Sequence, residues 1–129
     1  MWGEYATPFC VGHEAIGRIT HIGKNVTNRK IGDLVGVGTF TDSCGKCDFC
    51  LRGEDNLCDG LEDWERDCGS QKFGGIATAF QCNANYLHLI PESFDPKTDG
   101  ILISCGEIAY GVINRHTTKG QKIGILGIG

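Results

Sequence analysis

The chain has 129 residues, 12 basic and 16 acidic side chains for a net charge of −4, 8 cysteines and 20 glycines. That length fits one domain of ordinary size and allows a core without covalent staples. The mixed charge, with no basic stripe, argues against a nucleic-acid partner, and no run approaches the roughly 18 apolar residues of a membrane span.

Met1 to Cys10 lacks the basic and apolar regions of a secretion signal, so a cytoplasmic location with reduced cysteines is expected. Ala15 to Ile22 alternates small or apolar with polar positions and predicts a strand; turns follow at Gly23-Lys24-Asn25 and Gly32-Asp33. Leu34 to Val37 is a short apolar strand candidate interrupted by Gly36. Thr41 to Asp67 has little periodicity and is too long for a bare loop unless something organises it, as a bound metal would. Gly74 to Cys82 and Tyr86 to Ile90 suggest two more strands around a Cys-Asn-Ala-Asn turn, ended by Pro91. After Pro96, Asp99 is placed to cap a helix whose apolar positions Leu102, Cys105, Ile108, Ala109, Val112 and Ile113 recur at helical spacing, with Gly120 as a stop. Lys122 to Gly129 reads as a buried strand running into a glycine turn. The expected fold is therefore mainly β, with one helix and a parallel-type strand near the end.

Four cysteines fall in the run Cys44-Gly-Lys-Cys47-Asp-Phe-Cys50-Leu-Arg-Gly-Glu-Asp-Asn-Leu-Cys58; Cys10, Cys68, Cys82 and Cys105 are scattered. Clustering of this kind argues for one local metal loop rather than a disulfide framework. Four thiolates close a tetrahedral zinc shell with no open position, which is the arrangement of a structural site. Two-residue gaps let backbone amides turn toward the sulfurs and offset their charge. An iron–sulfur cluster is the main rival, but ferredoxin loops place the fourth cysteine three residues on and follow it with proline, whereas here seven residues intervene and Asp59 follows. Disulfides and four unliganded thiols are the remaining alternatives.

Gly12-His13-Glu14-Ala-Ile-Gly17 is a weaker motif: the dipeptide alone reads as a surface pair, yet an imidazole suits a catalytic zinc and an adjacent carboxylate can support it. Cys105 sits at the start of the predicted helix, where thiolate is favoured, but taken alone it reads more readily as a small core residue. Gly124-Ile-Leu-Gly127-Ile-Gly129 opens like a dinucleotide fingerprint, without the third glycine and distant acid that would complete one.

In order, Trp2-Gly3, Pro8 with Gly12-His-Glu and Gly17, Lys30-x-Gly-Asp33-x-Val-Gly36, the four-cysteine loop, Phe73-Gly-Gly75, Pro91-Glu92 and Gly124 to Gly129 resemble zinc-containing medium-chain alcohol dehydrogenases, most closely the cinnamyl-alcohol-dehydrogenase-like branch, over essentially the whole chain. The resemblance implies a GroES-like β-barrel-type catalytic domain over 1–98, with a structural zinc loop at 41–67, and a linking helix and first strand of a truncated Rossmann domain over 99–129. It implies hydride exchange between a primary alcohol or aldehyde and NADP or NAD, with zinc as Lewis acid. By position, Cys44, Cys47, Cys50 and Cys58 look like structural zinc ligands; His13 and Cys105 look like catalytic zinc ligands, with Glu14 beside them; Gly127 and Gly129 look like the first glycines of the cofactor loop. Alcohol dehydrogenase itself holds its catalytic zinc with two cysteines and a histidine; the second such cysteine is expected upstream of Met1, and Cys10 is read as packing. The chain is thus expected to be a fragment, inactive alone, of an enzyme that forms a homodimer. The alternative is a non-catalytic, zinc-stabilised β domain serving as a structural or binding module.

Overall fold

The computed structural model describes residues 10–62 and 74–127. Trp2, Pro8, Cys68, Phe73, Gly129 and the last part of the expected 41–67 loop lie outside the described residues.

The core sits on one short strand. β1 (Ala15–Arg18), β2 (Leu34–Val37) and β3 (His88–Leu89) form an antiparallel sheet in the order β1-β2-β3. β1 meets β2 with Ala15 opposite Val37 and Arg18 opposite Leu34; β2 meets β3 with Val35 opposite Leu89 and Gly36 opposite His88. All four β2 residues are buried, as a central strand flanked on both edges requires, and Val37 is 1% exposed.

Gly36 does not interrupt β2, contrary to the sequence expectation. It is where the sheet is covered: a Cβ there would overlap the Ile103 side chain and lie 2.8 Å from Ile90 Cδ1. The expected strand over Ala15 to Ile22 is shorter, because Ile19 only closes the ladder through its amide to Asp33 O (3.0 Å) and its carbonyl to Gly32 N (2.8 Å). Turns form where predicted, Val26 N bonding Gly23 O and Lys30 N bonding the Asp33 carboxylate, with Gly32 at φ +93°.

Two further strands are corrected. Residues 74–82 form bends rather than a strand; Gly75 N bonds Gly12 O (2.7 Å) and Ile76 N bonds Val11 O (3.0 Å), a short seam in place of a ladder. Tyr86 belongs to a 3-10 turn, Ala84–Tyr86, capped by the Asn83 side chain accepting from Asn85 N; His88 and Leu89 pair with β2, and Ile90 N adds a bond to Leu34 O (3.0 Å).

The predicted helix exists but starts later. A 3-10 turn spans Gly100–Ile103, and α2 (Cys105–His116) begins after Ser104; α1 is the short helix Asp48–Leu51 in the cysteine loop. Asp99 does not cap α2, because its carboxylate is taken by Asp95 N (2.9 Å) and Thr98 Oγ1 (3.0 Å). At its other end the Thr117 hydroxyl donates to Ile113 O (2.7 Å), and Gly120, at φ +88°, turns the chain. No α2 residue is buried, although the apolar spacing predicts a core face: among the described residues only the Gly100–Ile103 turn packs closely on it. Residues 122–127 pair with no other strand among the described residues, and Leu126 is fully exposed rather than buried.

Candidate metal centre

The loop after β2 returns on itself to gather four sulfurs. Cys47 precedes α1, Cys50 lies within it, and Gly53, at φ +75°, reverses the chain with its amide on Cys50 O (3.0 Å). A 3-10 turn, Asp55–Leu57, then delivers Cys58, the buried member of the set. Arg52 braces the reversal from outside, over the Phe49 ring at 5.1 Å and paired with Glu54 at 3.0 Å.

The ligand atoms of Cys44, Cys47, Cys50 and Cys58 all lie within 4.8 Å of one another. Cys44 Sγ is 3.9 Å from Cys50 Sγ, and Cys47 Sγ is 3.5 Å from Cys50 Sγ. A tetrahedral ion with bonds of about 2.3 Å to sulfur demands separations of about 3.8 Å, so the donor set fits a zinc-sized cation. Backbone amides point at the sulfurs: Cys47 N bonds Cys44 Sγ (3.3 Å), as the two-residue gap predicts, and Cys44 N reaches across the loop to Cys58 Sγ (3.4 Å). The amides of Lys46 and then Cys47 are the main reason the Cys44 thiol falls from the ordinary 9.0 to about 6. A hydrogen bond from Ser43 leads the lowering of Cys50. At Cys47 the largest influence, the Cys50 amide, also lowers, but burial and the thiols of Cys50 and Cys44 outweigh it and raise Cys47 to about 11.

Five residues around this cluster, Tyr86, Asp55, Asn83, Asp42 and Gly60, carry no signal in the spacing of the cysteines. Tyr86, from the turn before β3, donates to Asp55 Oδ2 at 2.7 Å. Burial, followed by the Asp55 carboxylate, pushes the Tyr86 phenol up to about 12, so it stays a donor. Asn83 Nδ2 donates to Asp42 Oδ1 at 3.0 Å. Gly60 packs against the ligands themselves: a Cβ there would lie 2.5 Å from Cys44 Sγ. Tyr86 and Asp55 are 31 residues apart, and no local pattern announces such a pair.

His13 is exposed in the seam formed with Gly75 and Ile76, next to Glu14, which has φ +64°. A left-handed backbone at a non-glycine residue is strained, and Glu14 Oε1 is buried without a partner. The Cys10 thiol donates within the same seam to Gly74 O (3.3 Å) and Ile76 O (3.2 Å). Cys105 is exposed in the first turn of α2. Among the described residues the four loop cysteines are the one group of three or more candidate ligands; His13, Glu14 and Cys105 are not gathered into a second. Gly127, at φ +82°, adopts the backbone of a tight turn.

Comparison with known proteins places these features in one family. Residues 1–92 match the alcohol dehydrogenase GroES-like domain. NADP-dependent alcohol dehydrogenase C 1 of Mycolicibacterium smegmatis is 34% identical over 99% of this chain and 38% of its own length. A probable cinnamyl alcohol dehydrogenase, 8A, of Oryza sativa is 31% identical over 99% of this chain and 37% of its own. Among solved structures, CAD from Helicobacter pylori complexed with NADP(H) superposes with a TM-score of 0.77 at 26% identity, covering 88% of this chain and 34% of that one. The chain thus spans little more than a third of the length of the relatives it matches. With residues 1–92 matched and the fold shared, this chain belongs to the alcohol dehydrogenase GroES-like domain family.

Proposed function

We propose that the chain is the zinc-bearing part of a zinc-dependent alcohol dehydrogenase or aldehyde reductase that exchanges hydride between a primary alcohol or aldehyde and NADP or NAD. The observation that carries this is the convergence of four thiols at tetrahedral sulfur spacing inside a chain of this family. Cys44, Cys47, Cys50 and Cys58 would hold one zinc with no position open to substrate, and its work there is to fix the loop. A cytoplasmic location, where thiols stay reduced, would suit this metal loop.

A second, catalytic zinc would take His13 and Cys105, with Glu14 beside it. The chemistry of the donors supports this reading, together with the orphaned oxygen of Glu14. That zinc would supply Lewis-acid polarisation of the substrate oxygen. His13 would contribute an exposed imidazole, directly after the Val11 and Gly12 carbonyls that bond Ile76 N and Gly75 N. The NADP-dependent relative of Mycolicibacterium smegmatis and the NADP(H) complex from Helicobacter pylori favour NADP, and Gly127 and Gly129 would lead toward its pyrophosphate. A homodimer as the working form rests on the family alone.

Elemental analysis of the purified chain tests the first step. Zinc bound through the four thiols should be lost, with a fall in melting temperature, when Cys58 is changed to serine. Full retention of metal and melting temperature in Cys58→Ser, or iron with visible absorption in place of zinc, overturns the assignment.

A further inference from the structure

The cysteine loop is hydrogen-bonded to a segment outside itself. The segment 83–89 grips that loop near both ends and is itself anchored in the sheet. Near the loop's start, Asn83 Nδ2 donates to Asp42 Oδ1, two residues before Cys44; the same oxygen accepts from Ser43 N at 2.9 Å. Near its end, Tyr86 Oη donates to Asp55 Oδ2, three residues before Cys58, and Asp55 O in turn accepts from Cys58 N at 3.1 Å. Both grips come from one 3-10 turn, whose cap is the Asn83 carbonyl oxygen. Directly after it, Arg29 Nη2 donates to Leu87 O at 2.5 Å, and His88–Leu89 pair with β2.

We propose that Tyr86 and Asn83 are positioning residues for the metal loop: they latch its two ends to the sheet and hold the four sulfurs at ligand spacing. This rests on the four-thiolate reading and adds to it residues that are not ligands. The physical reason is entropy. A loop with few apolar residues must lose its freedom when it takes up a metal, and a latch already fixed at two points removes part of that cost beforehand. The phenol–carboxylate bond is the stronger grip, because its acceptor is charged.

Zinc release to a chromogenic chelator, measured on the zinc-loaded full chain, reads the latch directly. Tyr86→Phe keeps the ring and removes the donor; release should speed up about tenfold, the effect of losing one hydrogen bond to a charged group. Asp55→Ala should do the same, and the double variant should be no faster than either single one. Asp55→Asn retains a carbonyl acceptor and should restore most of the slow release. Ile16→Ala loosens β1, at the opposite edge of the sheet from β3, and should leave release within about twofold. Release from Tyr86→Phe as slow as from the unmodified chain overturns the latch while leaving the zinc site standing. Equal acceleration by Ile16→Ala overturns it too, since the effect is then general loosening. An unmodified chain that takes up no zinc overturns the four-thiolate reading and the latch with it.

Discussion

At the scale of single residues, the four ligands are chemically unequal although the spacing makes them look alike. Cys44 lies at about 6 because amides of Lys46 and Cys47 face it; at Cys47 the Cys50 amide lowers, but burial and the neighbouring thiols outweigh it and hold that group at about 11. Metal uptake requires thiolates, so every proton still carried must leave. At neutral pH Cys44 has already lost its proton and Cys47 has not; uptake therefore displaces the Cys47 proton. Below about pH 6 Cys44 is protonated as well, and one more proton leaves per metal bound. Apparent zinc affinity should rise with pH throughout, and its logarithm should climb more steeply, by about one proton, below pH 6 than above it. Competitive titration against a chelator across that range checks this; an unchanged slope through pH 6 counts against the Cys44 assignment. The cluster itself was legible in sequence, since two-residue gaps bring sulfur and amide together within one turn of chain. Gly60, Tyr86, Asp55 and Asn83 were not, because their roles arise from contacts across the fold that no local periodicity encodes.

At the scale of elements, sequence pattern located β2, the turns at Gly23 and Gly32 and the existence of α2, because each depends on near neighbours. It overextended the strands at 15–22, 74–82 and 86–90. Alternation records which residues could pair, whereas the ladder stops where a partner backbone departs, as it does after Ile19. Gly36 shows the limit most clearly. As a sequence symbol it reads as a break; in the sheet it is the space that Ile103 and Ile90 occupy. Gly36→Ala should therefore destabilise the zinc-loaded chain by about 1–3 kcal/mol through overpacking, despite the better strand propensity of alanine. Chemical denaturation checks this, and a variant as stable as the parent would show that Ile103 and Ile90 move aside freely.

At the scale of the whole molecule, apolar surface is unevenly resolved. β2 is buried, while α2 and the segment after it carry Ile108, Tyr110, Val112, Ile125 and Leu126 in the open, Leu126 completely so. Ile108 and Val112 keep the spacing of a covered helix face, and Ile125 and Leu126 fall in the expected buried strand, yet all four stay more than half exposed among the described residues. Exposed apolar residues so close in sequence favour association, and a net charge of only −4 offers little long-range repulsion at physiological salt. The 129-residue chain should therefore self-associate as its concentration rises, visible as a growing weight-average mass in sedimentation. Replacing Ile125 and Leu126 together by lysine should shift that growth to markedly higher concentration. Zinc content should not change, since neither residue is near the cysteine loop in sequence and neither belongs to the sheet. A parent chain that sediments as a monodisperse monomer at all concentrations would mean that this surface is tolerated by water as it stands, and that the helical spacing of α2 records a face with no cover to seek.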